Sequence, residues 1–215
     1  NFIENNVGYM TYSFWIYIYS FNSGNNNNRI ISNNLENNTL VEEEYNEQSS
    51  WKHVWHRGDS VIQPGNDYDS KVIQYPGVWL TPDLKTIVFD FNNGRDSSER
   101  LELSVSDYNK WTNFSIVLNK NIVSVYQNGK LEETFMLNQE PISTKNFNVY
   151  LGTQGLTGSG YPGYLAYFTY FNEIYNSDLI YDLYKYYKKK MNKYIKMQSN
   201  FLKNQMLQPP LIKNN

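Results

Sequence analysis

The sequence predicts an all-β fold, an antiparallel β-sandwich of two facing sheets, followed by a C-terminal α-helix. Short apolar runs of period two recur up to about residue 171, and tight-turn signals separate them. After Asn176 a helical period replaces that alternation. Aromatic residues make up 17% of the 215 residues, and such rings suit half-buried pleated surfaces. We therefore expect one β domain with an appended helix.

The first strand is predicted over residues 9–19, where side chains alternate between two faces. One face carries Tyr12, Phe14, Ile16 and Ile18, and the other carries Thr11, Ser13, Trp15, Tyr17 and Tyr19. Further strands are predicted at residues 51–57, 77–80, 86–91, 101–105, 112–118, 122–126, 131–137, 147–151 and 163–171. Asn128 and Gly129 form the strongest hairpin signal, because both residues tolerate positive φ. This hairpin indicates an antiparallel arrangement.

Two stretches interrupt the strand pattern. Residues 22–50 are rich in Asn, with an acidic run at 42–44, and contain too few apolar groups to offset the entropy of ordering. We interpret them as a long surface insertion, and residues 59–75 as a second loop. The predicted organisation is a sandwich over residues 1–176 and a basic helix and tail over residues 177–215.

The C-terminal segment is predicted to form one long helix. Ser177 can cap its first turn. Apolar residues then recur at steps of three, four or seven, namely Ile180, Tyr184, Tyr187, Met191, Tyr194 and Phe201. The helix would run from Ser177 to Met206 and stop before Pro209. Its length of roughly 45 Å is too great for it to lie wholly against a domain of this size, so part of it should project.

Charge is divided unevenly between these two parts. Residues 183–215 carry 8 Lys and no acidic residue, which leaves 11 Lys and Arg against 21 Asp and Glu in residues 1–182. The body is therefore near −10 and the tail near +8. Such a split suggests that the tail meets an acidic surface, either on its own body or on a partner. The residues predicted to bind a partner are Lys188, Lys189, Lys190 and Lys193.

Six stretches occur in an order that resembles one known fold family. They lie at residues 12–18, 56–59, 76–80, 110–118, 123–131 and 163–172, and include Pro-Gly-Val-Trp-Leu and Gln-Asn-Gly-Lys-Leu. The ordered set is similar to the laminin-G-like jelly roll of the concanavalin A-like lectin and glucanase superfamily. The resemblance implies that Trp111 begins a strand whose inward residues are Phe114, Ile116 and Leu118. It also implies that Gly163 lets two backbones approach and that the last strand returns beside the first.

A narrower resemblance concerns the source of the domain. The stretches at residues 51–58 and 76–80, together with the Asn-rich and Lys-rich composition, resemble domains of this superfamily that large DNA viruses encode. Those domains are often virion components. The resemblance implies a structural or interaction protein, a minor capsid or virion-associated protein, located in the virion or capsid. The alternative location is extracellular or at the cell surface, for a carbohydrate-binding module.

The sequence shows no pattern of residues typical of catalysis. A glycoside hydrolase, the further alternative, needs two carboxylates that share one face, whereas Glu99 and Glu102 have opposite parity along their strand and Glu173 stands alone. His53 and His56 are the two histidines, and a spacing of three should point them to opposite sides of a strand, so we expect no shared metal. We predict that the protein is not an enzyme and has no resident cofactor.

Binding residues remain as candidates. Calcium could be held at the rim of the sandwich by Asp59, Asp67, Asp69 or Asp90. Sugars could stack on Trp55, Tyr75 or Trp79 if these rings are exposed. The expected partners are other proteins of a larger assembly, capsid proteins among them, and glycans; no nucleic acid is predicted. The apolar stretches are far shorter than the roughly 20 residues of a membrane helix. Because the chain begins at Asn1 and not at Met, an upstream segment can precede it.

Overall fold

The computed structural model describes residues 8–19, 21–22, 29–34, 39–44, 51–59, 73–95, 98–139, 141–143, 146–152 and 160–206. Within these ranges the chain forms thirteen strands and one helix. The strands are β1 Tyr9–Ile18, β2 Phe21–Asn22, β3 Arg29–Asn34, β4 Thr39–Glu44, β5 Lys52–Gly58, β6 Gln74–Leu80, β7 Thr86–Asn92, β8 Glu99–Ser104, β9 Trp111–Asn119, β10 Ile122–Gln127, β11 Lys130–Met136, β12 Asn148–Leu151 and β13 Gly163–Phe171, and the helix is α1 Ser177–Met206.

Two antiparallel sheets of five strands each make the sandwich. Sheet one has the strand order β11-β10-β9-β1-β13, and sheet two has the order β12-β5-β6-β7-β8. The all-β sandwich predicted from the sequence is confirmed. The last strand does return beside the first, since β13 pairs with β1 in a register that places Tyr12 opposite Tyr170.

The core lies between the two sheets and is rich in aromatic rings. Sheet one contributes Tyr12, Phe14, Ile16, Ile18, Phe114, Ile116 and Leu118, all of them buried as the alternation predicted. Sheet two contributes Val54, Trp55, Tyr75, Val78, Leu80, Ile87, Phe89 and Phe91. Trp55 lies at the centre, with its ring 5.0 Å from that of Tyr12 and 4.8 Å from that of Phe168. Burying a side chain of this size stabilises the fold by about 2 kcal/mol or more.

Two predicted backbone features are confirmed. Asn128 and Gly129 have φ values of 51° and 78°, as the hairpin between β10 and β11 requires. Gly163 opens β13 where the backbone of β1 passes so closely that a Cβ atom would lie 1.9 Å from the carbonyl oxygen of Tyr17. A larger residue at 163 would therefore push the two strands apart.

Residues 22–50 were expected to form a surface insertion without regular structure before the strand at 51–57, but the structure has strands there. Strands β2, β3 and β4 form a small antiparallel sheet, in which Arg29 pairs with Glu44 and Asn34 pairs with Thr39. The strand ladder pairs backbone groups whatever the side chains are, so the Asn-rich composition was a poor guide to the backbone there. Residues 60–72, most of the second predicted loop, lie outside the described residues.

Candidate binding surfaces

The rings predicted to stack on sugars are buried. Trp55 and Tyr75 have 0% of their surface exposed, and Trp79 has 1%. Trp55 and Tyr75 belong to the core between the sheets. Trp79 lies on the outer side of sheet two, where Trp51 and Val88 pack against it and its indole nitrogen donates to Gln74 Oε1 at 2.8 Å. The prediction that these three rings are exposed for sugar binding is therefore wrong.

The calcium candidates are not brought together among the described residues. Asp59 links the residues on either side of the 60–72 stretch, because its Oδ2 accepts a hydrogen bond from the backbone N–H of Ile73 at 2.8 Å. Asp90 is fully buried on β7, where Ser98 donates to it and the Arg100 Nε lies 3.6 Å from Oδ1. Asp67 and Asp69 lie outside the described residues. In the part of the chain that is described, no three His, Asp or Glu side chains gather to hold a metal. Calcium binding stays a prediction.

The two histidines lie side by side, contrary to the prediction that they point to opposite sides of the strand. His53 Nε2 is 2.8 Å from His56 Nδ1, and both rings are fully buried. The reason is a β-bulge on β5. His53 pairs with Trp79 and Trp55 pairs with Val78, so β5 has one extra residue between these two pairs. The extra residue shifts the alternation by one, and His56 therefore lies on the same face of the strand as His53.

The surroundings of this histidine pair keep both rings neutral. His53 Nδ1 contacts the carbonyl oxygen of Gly152, and His56 Nε2 lies 3.0 Å from the carbonyl oxygen of Asp59. The Tyr150 ring stacks on His56 at 4.8 Å. Burial, followed by the charge of His56, lowers the pKa of His53 to about 3, and burial lowers the pKa of His56 to about 4. The outer nitrogen of each ring therefore donates to a backbone carbonyl group, and the two inner nitrogens face each other.

Four aromatic rings meet on the outer face of sheet one, and we call them the Tyr/Trp patch: Tyr17, Tyr19, Trp111 and Tyr164. In the strand register Tyr17 lies directly between Trp111 on β9 and Tyr164 on β13. Its ring centroid is 5.5 Å from that of Trp111 and 6.1 Å from that of Tyr164, while Tyr19 and Tyr164 are 5.6 Å apart. Tyr164 is 44% exposed, and the other three rings are half-buried.

Part of this patch could be predicted from the sequence. The alternation of β1 placed Tyr17 and Tyr19 on its outer side, but nothing in the sequence showed that Trp111 and Tyr164 flank them. That juxtaposition depends on which strands pair and in which register, and local periodicity does not encode either.

Helix α1 has the predicted bounds, but its cap differs from the prediction. Asn176 caps it, since the Asn176 Oδ1 accepts the backbone N–H of Leu179 at 2.9 Å. Ser177, the predicted cap, instead lies with its hydroxyl 3.2 Å from that of Tyr126. Asn is as good a cap as Ser, and the side chain one residue earlier has the geometry to reach the third helical N–H.

The first half of α1 packs on the outer face of sheet one. Ile180 is fully buried against Val117 and Tyr126. The Tyr184 ring stacks on Trp15, with 5.6 Å between centroids and 12° between planes. Met191 is the last buried residue of this half. The helix thereby closes over the outer ring of β1 that would otherwise face water.

Beyond Met191 the described side chains, residues 192–196, are all exposed. The lysines predicted to bind a partner, Lys188, Lys189, Lys190 and Lys193, are exposed as well. Several cations are held over helix tyrosines: Lys188 Nζ is 5.0 Å from the Tyr184 ring centre, and Lys190 Nζ is 4.3 Å from that of Tyr186. Among the described residues, no helix is long and apolar enough to cross a membrane.

Glu99 and Glu102 point to opposite faces of β8, as their parity predicted. Glu99 pairs with the core residue Phe91, and Glu102 pairs with Val88 on the outer side. The Glu99 carboxylate accepts two backbone N–H groups, from Asn138 at 2.9 Å and from Gln139 at 2.8 Å. Glu99 thus holds the turn after β11, which is a structural role.

Comparison with known proteins supports the fold. No family model matches the chain, and no curated protein matches its sequence. Similar solved structures include the binding domain of botulinum neurotoxin serotype G, at 16% identity and a TM-score of 0.53 over 83% of this chain and 36% of that chain. The binding domain of serotype D matches at 14% identity and a TM-score of 0.54 over 86% of this chain and 39% of that one. The receptor binding domain of the C/D mosaic serotype has 13% identity and a TM-score of 0.52, over 84% and 36%.

These likenesses establish the β-sandwich and no more. The chain spans less than two fifths of the length of each of these neighbours. Identities of 13–16% allow similar folds to have unrelated functions. The resemblance to domains of large DNA viruses receives no support from these comparisons and stays a prediction.

Proposed function

We propose that the protein is a non-enzymatic interaction domain that binds a partner protein through the exposed lysines of α1 and the part of the helix beyond Met191. The observation that carries the proposal is where the buried stripe of the helix stops. Among the described side chains of the helix, Met191 is the last buried one and residues 192–196 are exposed, yet the helix continues to Met206. Isolated helices are marginal in water, and most helical stability in proteins comes from packing of one face. A partner surface would supply that packing.

The charge of the helix specifies the kind of partner. Asp182 is the last acidic residue in the chain, and it pairs with Lys185 at 2.8 Å. The described lysines that follow are exposed. Three of them, Lys185, Lys188 and Lys190, lie over tyrosine rings, which holds their charges on the helix surface. An acidic partner surface would complement this arrangement and would attract it over a Debye length of about 10 Å.

The finer part of the proposal is that the assembly is a virus particle and the protein a minor capsid or virion-associated component. The sequence resemblance at residues 51–58 and 76–80 supports it. Mass spectrometry of particles purified from the encoding virus should detect peptides of the sandwich. Their absence would overturn the virion location and leave the extracellular or cell-surface location as the alternative.

A direct test compares two sets of substitutions with equal loss of charge. The helix variant changes Lys188, Lys189, Lys190 and Lys193 to Gln, and the control variant changes the exposed sandwich lysines Lys85, Lys110, Lys120 and Lys130 to Gln. We expect the helix variant to co-sediment with the assembly about tenfold less and the control to behave as wild type. Equal loss in both variants would show that net charge, and not the helix, drives the association.

Truncation supplies a second test, and the structure shows where to cut. Removal of the whole helix would expose Trp15 and the apolar surface under Ile180. A stop codon after Met191 leaves the packed half in place with Lys188, Lys189 and Lys190, and removes Lys193 with the rest of the helix. This truncated protein should keep the thermal stability of the full chain and associate more weakly. Unchanged association would contradict the proposal.

Two rival functions have weaker support. Glycoside hydrolysis lacks a carboxylate pair on β8, because Glu99 and Glu102 diverge and Glu99 holds a turn. Carbohydrate binding at Trp55, Tyr75 and Trp79 is not possible, because these three rings are buried.

A further inference from the structure

We infer that the Tyr/Trp patch is a second binding site, which takes an uncharged sugar ring by stacking. The inference goes beyond the proposed role of the helix. It rests on four rings that three neighbouring strands and the residue after β1 hold together on one outer face of the sandwich.

Three of the four rings are held by the sheet, on β1, β9 and β13. Tyr17 lies opposite both Trp111 and Tyr164, and side chains at directly opposed positions are about 5 Å apart. The position of Tyr19 is fixed too, because its backbone N–H donates to the carbonyl oxygen of Pro162 at 3.1 Å. A ligand would therefore meet rings that are already in place, which lowers the entropic cost of binding.

The patch differs from an ordinary hydrophobic surface in its chemistry. Each of its four side chains combines an aromatic face with a hydrogen-bonding group, three phenol hydroxyls and one indole N–H. The hydroxyl of Tyr164 is close enough to that of Tyr17 to add to the effect of burial, and together they raise the pKa of Tyr17. Such a surface suits a ligand with a flat apolar face and hydroxyl groups at its edge, and a pyranose ring has that form.

The charges beside the patch indicate a neutral ligand. Lys110, the residue before Trp111, pairs with Asp107 at 3.2 Å, so the two charges cancel at the rim. A phosphate or carboxylate ligand would need a cation free to pair with it. An uncharged sugar needs no cation, and the ion pair of Lys110 and Asp107 does not repel it.

The position of the patch leaves it accessible. Trp15 is the preceding outward residue of β1, and Tyr184 of the helix covers it. The patch begins at the next outward residue, Tyr17, and its outermost ring, Tyr164, keeps 44% of its surface exposed. A grouping of half-buried rings next to solvent is what a stacking site requires, whereas core rings such as Trp55 are out of reach.

The test begins with a glycan array probed with the full-length protein, with and without calcium. We expect binding to at least one neutral glycan class under both conditions. Tyr164→Ala should lower the affinity for that glycan about tenfold, because stacking accounts for much of the binding energy. Tyr181→Ala, at a helix tyrosine that is 45% exposed, is the matched control and should leave the affinity unchanged.

Two further substitutions separate stacking from general apolar contact. Tyr164→Phe keeps the ring and should retain most of the affinity, while Tyr164→Leu keeps apolar bulk without a ring and should lose it. Equal retention by Phe and Leu would overturn the inference in favour of an apolar protein or lipid partner, and binding to neutral phosphatidylcholine vesicles would identify the lipid. Absence of glycan binding in both array conditions would also overturn it, while association of the helix with its assembly would be untouched.

Discussion

Acidification from about pH 7 to about pH 5 should destabilise the protein through the buried histidine pair. In the unfolded chain both imidazoles take up protons as the pH falls through 6.5. In the folded chain they stay neutral, because burial lowers their pKa values to about 3 and about 4. The unfolded state thus binds more protons than the folded state over this range, and the free energy of unfolding must decrease as the pH is lowered. The stability is fully present above pH 6.5 and is lost progressively below it.

The magnitude follows from the same values. At about pH 5 each imidazole has gained nearly a full proton in the unfolded chain but stays neutral in the folded chain. This difference lowers the free energy of unfolding by about 2 kcal/mol per ring. If the rings act independently, the pair loses about 4 kcal/mol between pH 7 and 5, a large part of the 5–15 kcal/mol typical of domains. Urea unfolding followed by tryptophan fluorescence at fixed ionic strength measures this change.

The proton count of the pair provides the competing outcome. The contacts from Gly152 through both rings to Asp59 need three N–H hydrogens, whereas two neutral imidazoles carry two. A third, shared proton would satisfy the contact between the rings. We expect desolvation to outweigh that gain, because the outer partners are backbone carbonyl groups and burial has the largest effect on both pKa values.

The control and the refuting result follow directly. A double variant with His53→Gln and His56→Gln removes both titrating groups, and the chain has no Cys, so its stability should change little over this pH range. A wild-type profile that is flat or that rises toward about pH 5 would refute the reasoning and indicate a proton shared by the pair. Imidazole NMR signals that titrate near pH 6.5 in the folded protein would refute it as well.

Two stability predictions use matched pairs of positions. Gly129→Ala and Gly152→Ala each place a side chain at positive φ, at a cost of about 1 kcal/mol. Gly129→Ala should cost more, because its Cβ would lie 2.9 Å from the Tyr184 ring while Gly152 has nothing within 4 Å; equal losses in thermal melts would contradict the packing of the helix there. Glu99→Gln should lower the free energy of unfolding by about 1–2 kcal/mol, because the charged acceptor of two backbone N–H groups is lost. The exposed Glu102→Gln should change it by less than about 0.5 kcal/mol, and a similar loss in both would remove the structural role of Glu99.

Local patterns in the sequence predicted the parts of the fold that depend on local physics. The alternation over β1 determined which of its side chains face the core, because successive residues of a strand point to opposite sides. The Asn128-Gly129 turn required positive φ at both positions, and the change of period after Asn176 gave the helix its bounds. Each of these features depends on neighbours in the chain, so one sequence was enough to find them.

The burial of individual aromatic rings could not be predicted in this way. The sequence places Trp79 on one side of a strand, but it does not say what covers that side. Trp79 is on the outer side of sheet two and is still 1% exposed, because other side chains pack over it. Tyr164 is on the outer side of sheet one and is 44% exposed. The two rings differ in tertiary surroundings, and for that reason the sugar-binding candidates chosen from the sequence were the wrong rings.

The histidine pair shows how one backbone irregularity changes a functional prediction. In a regular strand His53 and His56 would lie on opposite faces, one in the core and one outside. The bulge inserts one residue between His53 and Trp55, so that both histidines lie on one face while Val54 and Trp55 both reach the core. The same shift that fills the centre of the core with Trp55 therefore buries two titratable rings against each other. The central packing of the sandwich and its expected sensitivity to acid thus have a common origin in the geometry of β5.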